Sequence, residues 1–342
     1  MAQNHAGMFS LYSKRDVSVD IVRGIAIILV VLGHANRGQM EGMVIPSINL
    51  QILDFVIYSV HMPTFFFLSG YFAFISISRE PSDAFIKSRV VNIIWPYCLW
   101  SIIYCVVGHA MSSLTHVHHM VAWNQLLMIG WRPIGVLWFL YALFFMQIGA
   151  VLLRAHPAII LMSSLVADAV VLFTPSDALP QIVMDIIVQA PFFYIGFLMA
   201  ERGFPALPVI RKAGLWSACS LVVYGLLACL MFEAHVGRPV QFIMLPVGFL
   251  GIFGLASLSR VFVMVHALSC VASVLERLGR ASLAIYLLHI LVLALVPRIL
   301  HQMHVNSVSL TLACGTVIGV AGSYALYLGL EKIRIARFFA LR

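Results

Sequence analysis

Long apolar runs, separated by short polar segments, recur along the whole chain. Ten of these runs approach the length of about 20 residues that an α-helix needs to cross about 30 Å of hydrocarbon. The polar segments between them are too short to form a separate soluble domain. The ten predicted spans cover residues 17–36, 50–77, 90–112, 134–153, 157–175, 182–201, 213–233, 240–258, 282–301 and 308–330. The pattern predicts an all-α, polytopic integral membrane protein.

The composition supports this class and excludes others. Of the 342 residues, 62% are hydrophobic and 10% are charged, whereas soluble domains are about half apolar and a quarter charged. An ordinary soluble domain, a disordered chain, a collagen and a nucleic-acid-binding fold are therefore excluded. The six cysteines lie in apolar runs without CxxC spacing, so neither a zinc site nor a disulfide framework is predicted. We expect no metal and no permanently bound cofactor.

The excess of basic residues predicts the orientation of the chain. Ten spans put both termini on one side, and if that side is the cytoplasm, inner segments hold sixteen of the 21 Lys and Arg, while four lie in outer segments or at the outer end of a span. The remaining one, Arg23, lies in the first span. Basic residues collect in cytoplasmic loops. We expect one membrane domain over residues 1–342, with a cytoplasmic segment 1–16, a transmembrane bundle 17–330 and a cytoplasmic tail 331–342.

Three ionisable residues occupy the first predicted span. Arg23 and His34 are eleven residues apart, which is 20° beyond three full turns of a helix, so they share one face about 16 Å apart along the axis. Asp20 lies one turn before Arg23 and could orient it by a charge-assisted hydrogen bond. A snorkelling arginine and a packing histidine are the alternatives. A cation and a base on one stripe suit a reaction between an anionic donor and a neutral nucleophile.

The second predicted span also carries polar residues. Asp54 and His61 are seven residues apart, which places the carboxylate below the imidazole and could fix its tautomer. A hydrogen bond that only packs two helices is the alternative. Pro63 predicts a kink, and Gly70 after Ser69 allows close approach of another helix.

Further polar groups receive no specific role from their position. Asp168, Asp185 and Gln189 could serve a pore or a glycan-binding cleft. A cluster of His116, His118 and His119 lacks a thiolate or carboxylate companion, and simple solvation of a loop accounts for it. The segment 260–280 is amphipathic and charged, so we expect it to lie along the inner surface of the membrane rather than to cross it.

Five motifs in order give the chain a family resemblance. They are DIVRGIAIILVVLGH at 20–34, VHMPTFFFLSGY at 60–71, KSRVVNIIWPY at 87–97, LWFL at 137–140 and LGRASLAIYLLH at 278–289. With this order on ten spans, the chain resembles acyltransferase family 3, in particular the stand-alone sugar O-acetyltransferases. The resemblance covers nearly the whole chain. Many members carry a second basic residue about three positions after Arg89, where this chain has Asn92, and Lys87 lies in the same loop.

The resemblance implies an activity and roles for particular residues. An acetyl group would pass from cytoplasmic acetyl-CoA to a hydroxyl of a polysaccharide or lipid-linked sugar in the bacterial inner membrane. The histidine that matches His34 would be the general base, and a covalent acyl-histidine relay stays open. Arg23 and Asp20 complete the expected catalytic set. The expected coenzyme A ligands are Arg23, Lys87, Arg89 and Tyr97. The expected acceptor-binding residues are His61, Ser69, Trp138, Tyr286 and His289.

The expected partners are acetyl-CoA, a glycan or lipid-linked oligosaccharide and the lipid bilayer, with no nucleic acid and with a homodimer left open.

Two alternatives to this function stay open. A proton-coupled secondary transporter is the alternative from another class, although such proteins usually show internal repeats and broken helices at the midplane. An acyltransferase that uses another acyl group, such as succinyl, or an amine acceptor is the third reading.

Overall fold

Helices form the regular secondary structure of the described residues, which contain no β-strand. A computed structural model describes residues 16–41, 43–115, 123–152, 156–171, 173–175, 178–207, 212–234, 244–304 and 307–341. The predicted all-α class is confirmed for these residues. The cluster of His116, His118 and His119 lies outside them.

The described residues form fifteen α-helices, which are numbered in chain order. The first eight are α1 Val17–Glu41, α2 Ile48–Tyr58, α3 His61–Arg79, α4 Ser82–Arg89, α5 Trp95–Thr115, α6 Gln125–Met128, α7 Trp138–Leu152 and α8 Pro157–Val171. The others are α9 Gln181–Glu201, α10 Ala213–Ala234, α11 Met244–Met264, α12 Ser269–Arg280, α13 Ser282–Leu293, α14 Val296–Gln302 and α15 Val308–Lys332. A π-helical segment, Val90–Ile94, joins α4 to α5.

The described residues contain eight helical segments that are long and apolar enough to cross a membrane. They coincide with eight of the ten predicted spans. The other two predicted spans fall on shorter apolar helices, α8 and α13. The chain is therefore a multi-pass helical membrane protein.

Two compact units divide the chain. The first contains residues up to 65 and residues 199–334, and the second contains residues 66–198 and 335–341. In the first unit, α1 packs against α2, α11, α12, α13 and α15. Because five helices contact α1, this helix forms the centre of the first unit.

The position of α1 depends on a cap and on two glycines. The Asp16 carboxylate accepts a hydrogen bond of 2.9 Å from the Ser18 backbone N–H, which satisfies one of the free donors in the first turn. Further along, a Cβ at Gly24 would overlap the Leu275 carbonyl oxygen of α12, and a Cβ at Gly279 of α12 would overlap the Asp20 carbonyl oxygen. Because neither residue has a side chain, the two backbones touch directly.

The second predicted span is interrupted where Pro63 requires it. Helix α2 ends at Tyr58 and α3 begins at His61. A proline inside a continuous helix would clash with the carbonyl four residues earlier, that of Ser59. The break at residues 59–60 instead places Pro63 in the first turn of α3, where its missing N–H costs no helical hydrogen bond. The predicted kink is thus confirmed as a break.

The predicted amphipathic segment 260–280 has different limits in the structure. Arg260 lies within α11, where its guanidinium bonds Asp16 at 2.8 Å, the Ser18 hydroxyl and the Leu207 carbonyl. These partners satisfy most of the hydrogen-bond donors of Arg260. The charge is therefore accommodated within α11, which continues to Met264. The amphipathic helix is α12, which begins at Ser269 after a short 3₁₀ turn. The prediction that the segment starts at 260 is therefore wrong.

The second unit contains its own close helix crossing. A Cβ at Gly70 of α3 would overlap the Phe193 carbonyl oxygen of α9, so the predicted close approach at this glycine is confirmed. Residues 335–341 belong to this unit, and the Trp100 Nε1 donates a hydrogen bond of 2.9 Å to the Phe339 carbonyl.

The contact between α1 and α12 can be tested with Gly24→Ala. The added methyl group overlaps backbone rather than a movable side chain, so we expect a loss of at least about 1–3 kcal/mol of stability and a lower midpoint of thermal unfolding in detergent. Gly38→Ala is the matched control on α1, because nothing lies within 4 Å of its Cβ position. Equal thermal midpoints for the two variants would contradict the close contact.

Candidate active site

Four aromatic side chains of the first unit meet beside α1. The His34 ring lies 5.0 Å from the His289 ring and 6.1 Å from the Tyr58 ring, between centroids. The Tyr58 ring lies 4.6 Å from the His61 ring. We call these four residues the His34 cluster. One site is therefore formed by α1, by the two residues that flank the break between α2 and α3, and by α13.

Two histidines of the cluster are held in a defined tautomer. The Nδ1 atoms of His61 and His289 lie 2.6 Å from the carbonyl oxygens of Ile57 and Tyr286. Because a carbonyl oxygen only accepts, each Nδ1 carries the proton and each Nε2 of the neutral ring is an acceptor. Both Nε2 atoms are buried and have no hydrogen-bond partner among the described residues. Buried polar atoms are normally bonded, so these two acceptors are suited to a ligand that donates.

An ion pair borders the cluster. Arg37 binds the Asp54 carboxylate with two hydrogen bonds of 2.9 and 3.0 Å, and its guanidinium carbon lies 3.3 Å from the centroid of the Tyr58 ring. Asp54 therefore orients Arg37 and not His61. The predicted Asp54–His61 pair is wrong because the seven-residue spacing assumed a continuous helix, whereas the chain breaks between the two residues.

The break between α2 and α3 is itself held by side chains. The Tyr224 hydroxyl of α10 lies 2.6 Å from the Ser59 hydroxyl and donates to the Val56 carbonyl. From α1, the Asn36 side chain donates to the Leu50 carbonyl at 2.9 Å. These bonds fix α2, and with it Tyr58, against α1 and α10.

The other charged residues of α1 lie toward its first turns. Asp20 is buried, and its carboxylate is 3.8 Å from Arg280 Nε. Arg280 also pairs with Glu276. Arg23 is half-buried one turn after Asp20. The described α1 is unbroken from Arg23 to His34, so the two residues keep the shared face and the axial separation that the sequence predicts.

The predicted coenzyme A ligands other than Arg23 belong to the second unit. Lys87 is exposed and 3.8 Å from Asp83. Arg89 donates to the Ser88 hydroxyl and lies 4.6 Å from the Phe85 ring centroid. Both precede the π-helical segment that contains Asn92.

Three more predicted site residues lie in the second unit. Tyr97 is buried, and its hydroxyl donates to the Ile129 carbonyl at 2.5 Å. The Trp138 ring lies 6.0 Å from the Phe66 ring, and Ser69 is half-buried next to Gly70. Of the predicted acceptor-binding residues, His61, Tyr286 and His289 lie at the His34 cluster. Roles for the residues of the second unit stay predictions.

The site contains two residues, Arg37 and Tyr58, that the sequence motifs do not include. Arg37 follows His34 by three residues and therefore lies on nearly the same face of α1. Tyr58 precedes His61 by three residues and follows Asp54 by four. Helical spacing is the signal that points to both, but Arg37 also lies just beyond the predicted span 17–36, where a basic residue is unremarkable.

The fold and the site define a class: a helical membrane protein with a buried polar cluster of histidines. A protein-family model for an acyltransferase domain matches residues 16–328. The chain belongs to this acyltransferase family.

Two curated relatives are similar over part of the chain. One is "Nodulation protein NolL" of Sinorhizobium fredii (strain NBRC 101917 / NGR234), 31% identical over 200 residues, which are 55% of this chain and 50% of the relative. The protein of the same name from Mesorhizobium japonicum (strain LMG 29417 / CECT 9101 / MAFF 303099) is 26% identical over 195 residues, 55% of this chain and 49% of the relative. The chain thus spans about half the length of the curated relatives it matches. No solved structure matches it.

A double-mutant cycle tests the ion pair beside the cluster. We expect Arg37→Ala and Asp54→Ala to couple by about 1 kcal/mol, because the pair is bidentate but the Arg37 side chain is 43% exposed and therefore screened. The coupling should shrink as salt is raised. Thermal unfolding in detergent measures it, and single-variant effects that add within about 0.3–0.5 kcal/mol would contradict the pair.

Proposed function

We propose that the protein is a membrane O-acetyltransferase. It transfers an acetyl group from cytoplasmic acetyl-CoA to a hydroxyl of a polysaccharide or lipid-linked sugar, with His34 as general base. One observation carries this proposal: the half-buried His34 lies in a cluster with two buried histidines, His61 and His289, whose acceptor nitrogens have no hydrogen-bond partner among the described residues. Membership of the acyltransferase family supports the reaction class.

The polarity of the cluster favours a hydroxyl as the acceptor group. A sugar hydroxyl can donate its proton to a ring nitrogen of His34 as it attacks the acyl carbon. Neighbouring hydroxyls of the same sugar can donate to the acceptor nitrogens of the neutral His61 and His289 imidazoles. Tyr286, whose carbonyl holds His289, positions one of them.

The acyl donor is assigned to the other end of the same helix face. Arg23 is proposed to bind phosphates of coenzyme A, with Asp20 as its orienting partner. The axial separation of about 16 Å between Arg23 and His34 is compatible with an extended pantetheine arm that reaches the histidine. Lys87, Arg89 and Tyr97 are proposed as further ligands of the acyl donor.

The proposed membrane arrangement uses both kinds of apolar helix. With the eight long spans and the shorter α8 and α13, the chain crosses the bacterial inner membrane ten times as one acyltransferase domain. Both termini then lie in the cytoplasm, in agreement with the basic residues on that side. Helix α12 lies along the inner surface. The acceptor is proposed to be an exopolysaccharide or its lipid-linked precursor.

His34→Ala is the first test of this function. We expect transfer of labelled acetyl from acetyl-CoA to the glycan to fall by about 10²–10⁴, measured by mass spectrometry of the glycan with protein in proteoliposomes. His109→Ala is the matched control, because His109 is a half-buried histidine of α5 in the second unit, with Nδ1 on the Cys105 carbonyl. Undiminished transfer by His34→Ala would overturn the proposed base.

Arg23→Ala tests the phosphate contact separately. We expect the KM for acetyl-CoA to rise about 10- to 100-fold, as for the loss of a charge-assisted hydrogen bond. The KM for acetyl-pantetheine, which carries no phosphate, should not change. Arg132→Ala, at an exposed arginine, is the control. An equal change with both acyl donors would contradict phosphate binding by Arg23.

A further inference from the structure

We propose that the Tyr58 hydroxyl donates a hydrogen bond to the acyl carbonyl oxygen of the donor and stabilises the oxyanion that forms during transfer. This inference rests on the proposed function. It gives a catalytic role to a residue outside the five sequence motifs.

The hydroxyl of Tyr58 differs from other tyrosine hydroxyls of the chain. The hydroxyls of Tyr97 and Tyr224 donate to backbone carbonyls. The Tyr58 hydroxyl is buried and has no hydrogen-bond partner in the part of the chain that the structure describes. A buried hydroxyl without a partner destabilises the protein, so a ligand that accepts a hydrogen bond from it would remove this cost.

The chemistry of the cluster leaves the donor role to Tyr58. The Nε2 atoms of His61 and His289 are acceptors, because their Nδ1 atoms donate to carbonyls. Acceptors can hold other hydroxyls of the sugar but cannot stabilise negative charge on an oxygen. The Arg37 guanidinium is bound to Asp54 by two of its donors. A neutral His34 also carries one N–H, but its other nitrogen is the proposed base and has to face the attacking hydroxyl. Among the other members of the described cluster, the Tyr58 O–H is the neutral donor.

The Tyr58 ring is fixed from two directions, as a preorganised donor requires. The Arg37 guanidinium lies over its face, 3.3 Å from the centroid to the guanidinium carbon. The His61 ring meets it nearly perpendicularly, at 73°. Asp54 holds Arg37 in this place and balances its charge. Arg37 and Asp54 are therefore positioning residues, and the cation over the ring strengthens the phenol as a donor.

The reaction balances with these groups. The acceptor oxygen bonds to the acyl carbon, its proton passes to a ring nitrogen of His34, and the carbonyl electron pair moves to the oxygen that Tyr58 binds. The carbonyl then re-forms as the carbon–sulfur bond breaks. The leaving thiolate takes the proton from the His34 imidazolium. The products are the acetyl ester and coenzyme A with a free thiol.

Tyr58→Phe tests the proposal, because it removes the hydroxyl and keeps the ring. We expect kcat to fall about 10²–10³-fold, the effect of losing one oxyanion donor. The KM for acetyl-CoA should stay within about twofold, as for an interaction made only in the transition state. The thermal midpoint should not fall, because the hydroxyl has no partner in the described protein to lose.

Tyr194→Phe is the matched control and should behave in the opposite way. Its hydroxyl donates to the Met146 carbonyl at 3.3 Å within the second unit, so we expect a lower thermal midpoint with kcat largely retained below that midpoint. A kcat of wild-type size in Tyr58→Phe overturns the proposal, as does a kcat loss that follows an equal loss of stability. If wild-type protein transfers no acetyl group, the proposed function itself fails.

Asp54→Asn tests whether Asp54 acts on kcat by positioning Tyr58 or only stabilises the fold. It should lower kcat in the wild-type background because Arg37 no longer holds the Tyr58 ring. In the Tyr58→Phe background it should have almost no further effect on kcat, since the positioned hydroxyl is already absent. Fully additive losses would show that Asp54 does not act through Tyr58.

Discussion

The direct contact between the backbones of α1 and α12 is the constraint on which the first unit depends. Gly24 and Gly279 allow each helix to touch a carbonyl oxygen of the other. A helix held this closely cannot rotate without overlap, so the face of α1 that carries Arg23 and His34 is fixed. The same helix contacts α2 and α13, which bring Tyr58 and His289 to His34. Close packing at one end of α1 thus sets the geometry of the polar site at the other.

A polar cluster inside an apolar unit needs hydrogen-bond partners close by. One ring nitrogen of His61 and one of His289 donate to backbone carbonyls, and beside the cluster the Arg37 guanidinium is hydrogen-bonded to Asp54. Three buried atoms of the His34 cluster have no hydrogen-bond partner among the described residues: the Tyr58 hydroxyl and the Nε2 atoms of His61 and His289. In most proteins such atoms are satisfied. Their presence at one place, one donor beside two acceptors, fits a substrate that presents a carbonyl and a hydroxyl together.

The sequence predicted those features that a single helix determines. The apolar runs located the membrane helices because each run is contiguous, and the face shared by Arg23 and His34 follows from the regular geometry of an unbroken α1. Prediction failed where the chain departs from one helix. The seven-residue spacing between Asp54 and His61 predicts a shared face only on one continuous helix, and the chain breaks between these residues. Tyr58 and Arg37 are absent from the predicted site, because their partners lie on other helices and only tertiary packing joins them.

Transfer of acetyl to a glycan hydroxyl by the His34 cluster, as proposed here, would change the mass of the cell's own glycans. Mass spectrometry can compare surface polysaccharide from cells that produce the wild-type chain, the His34→Ala chain or no chain. We expect glycan species heavier by one acetyl group, removable by mild alkali as an ester, with the wild-type chain only. Identical glycan masses in all three samples, or acetylated glycan with the His34→Ala chain at the wild-type level, would contradict the proposal.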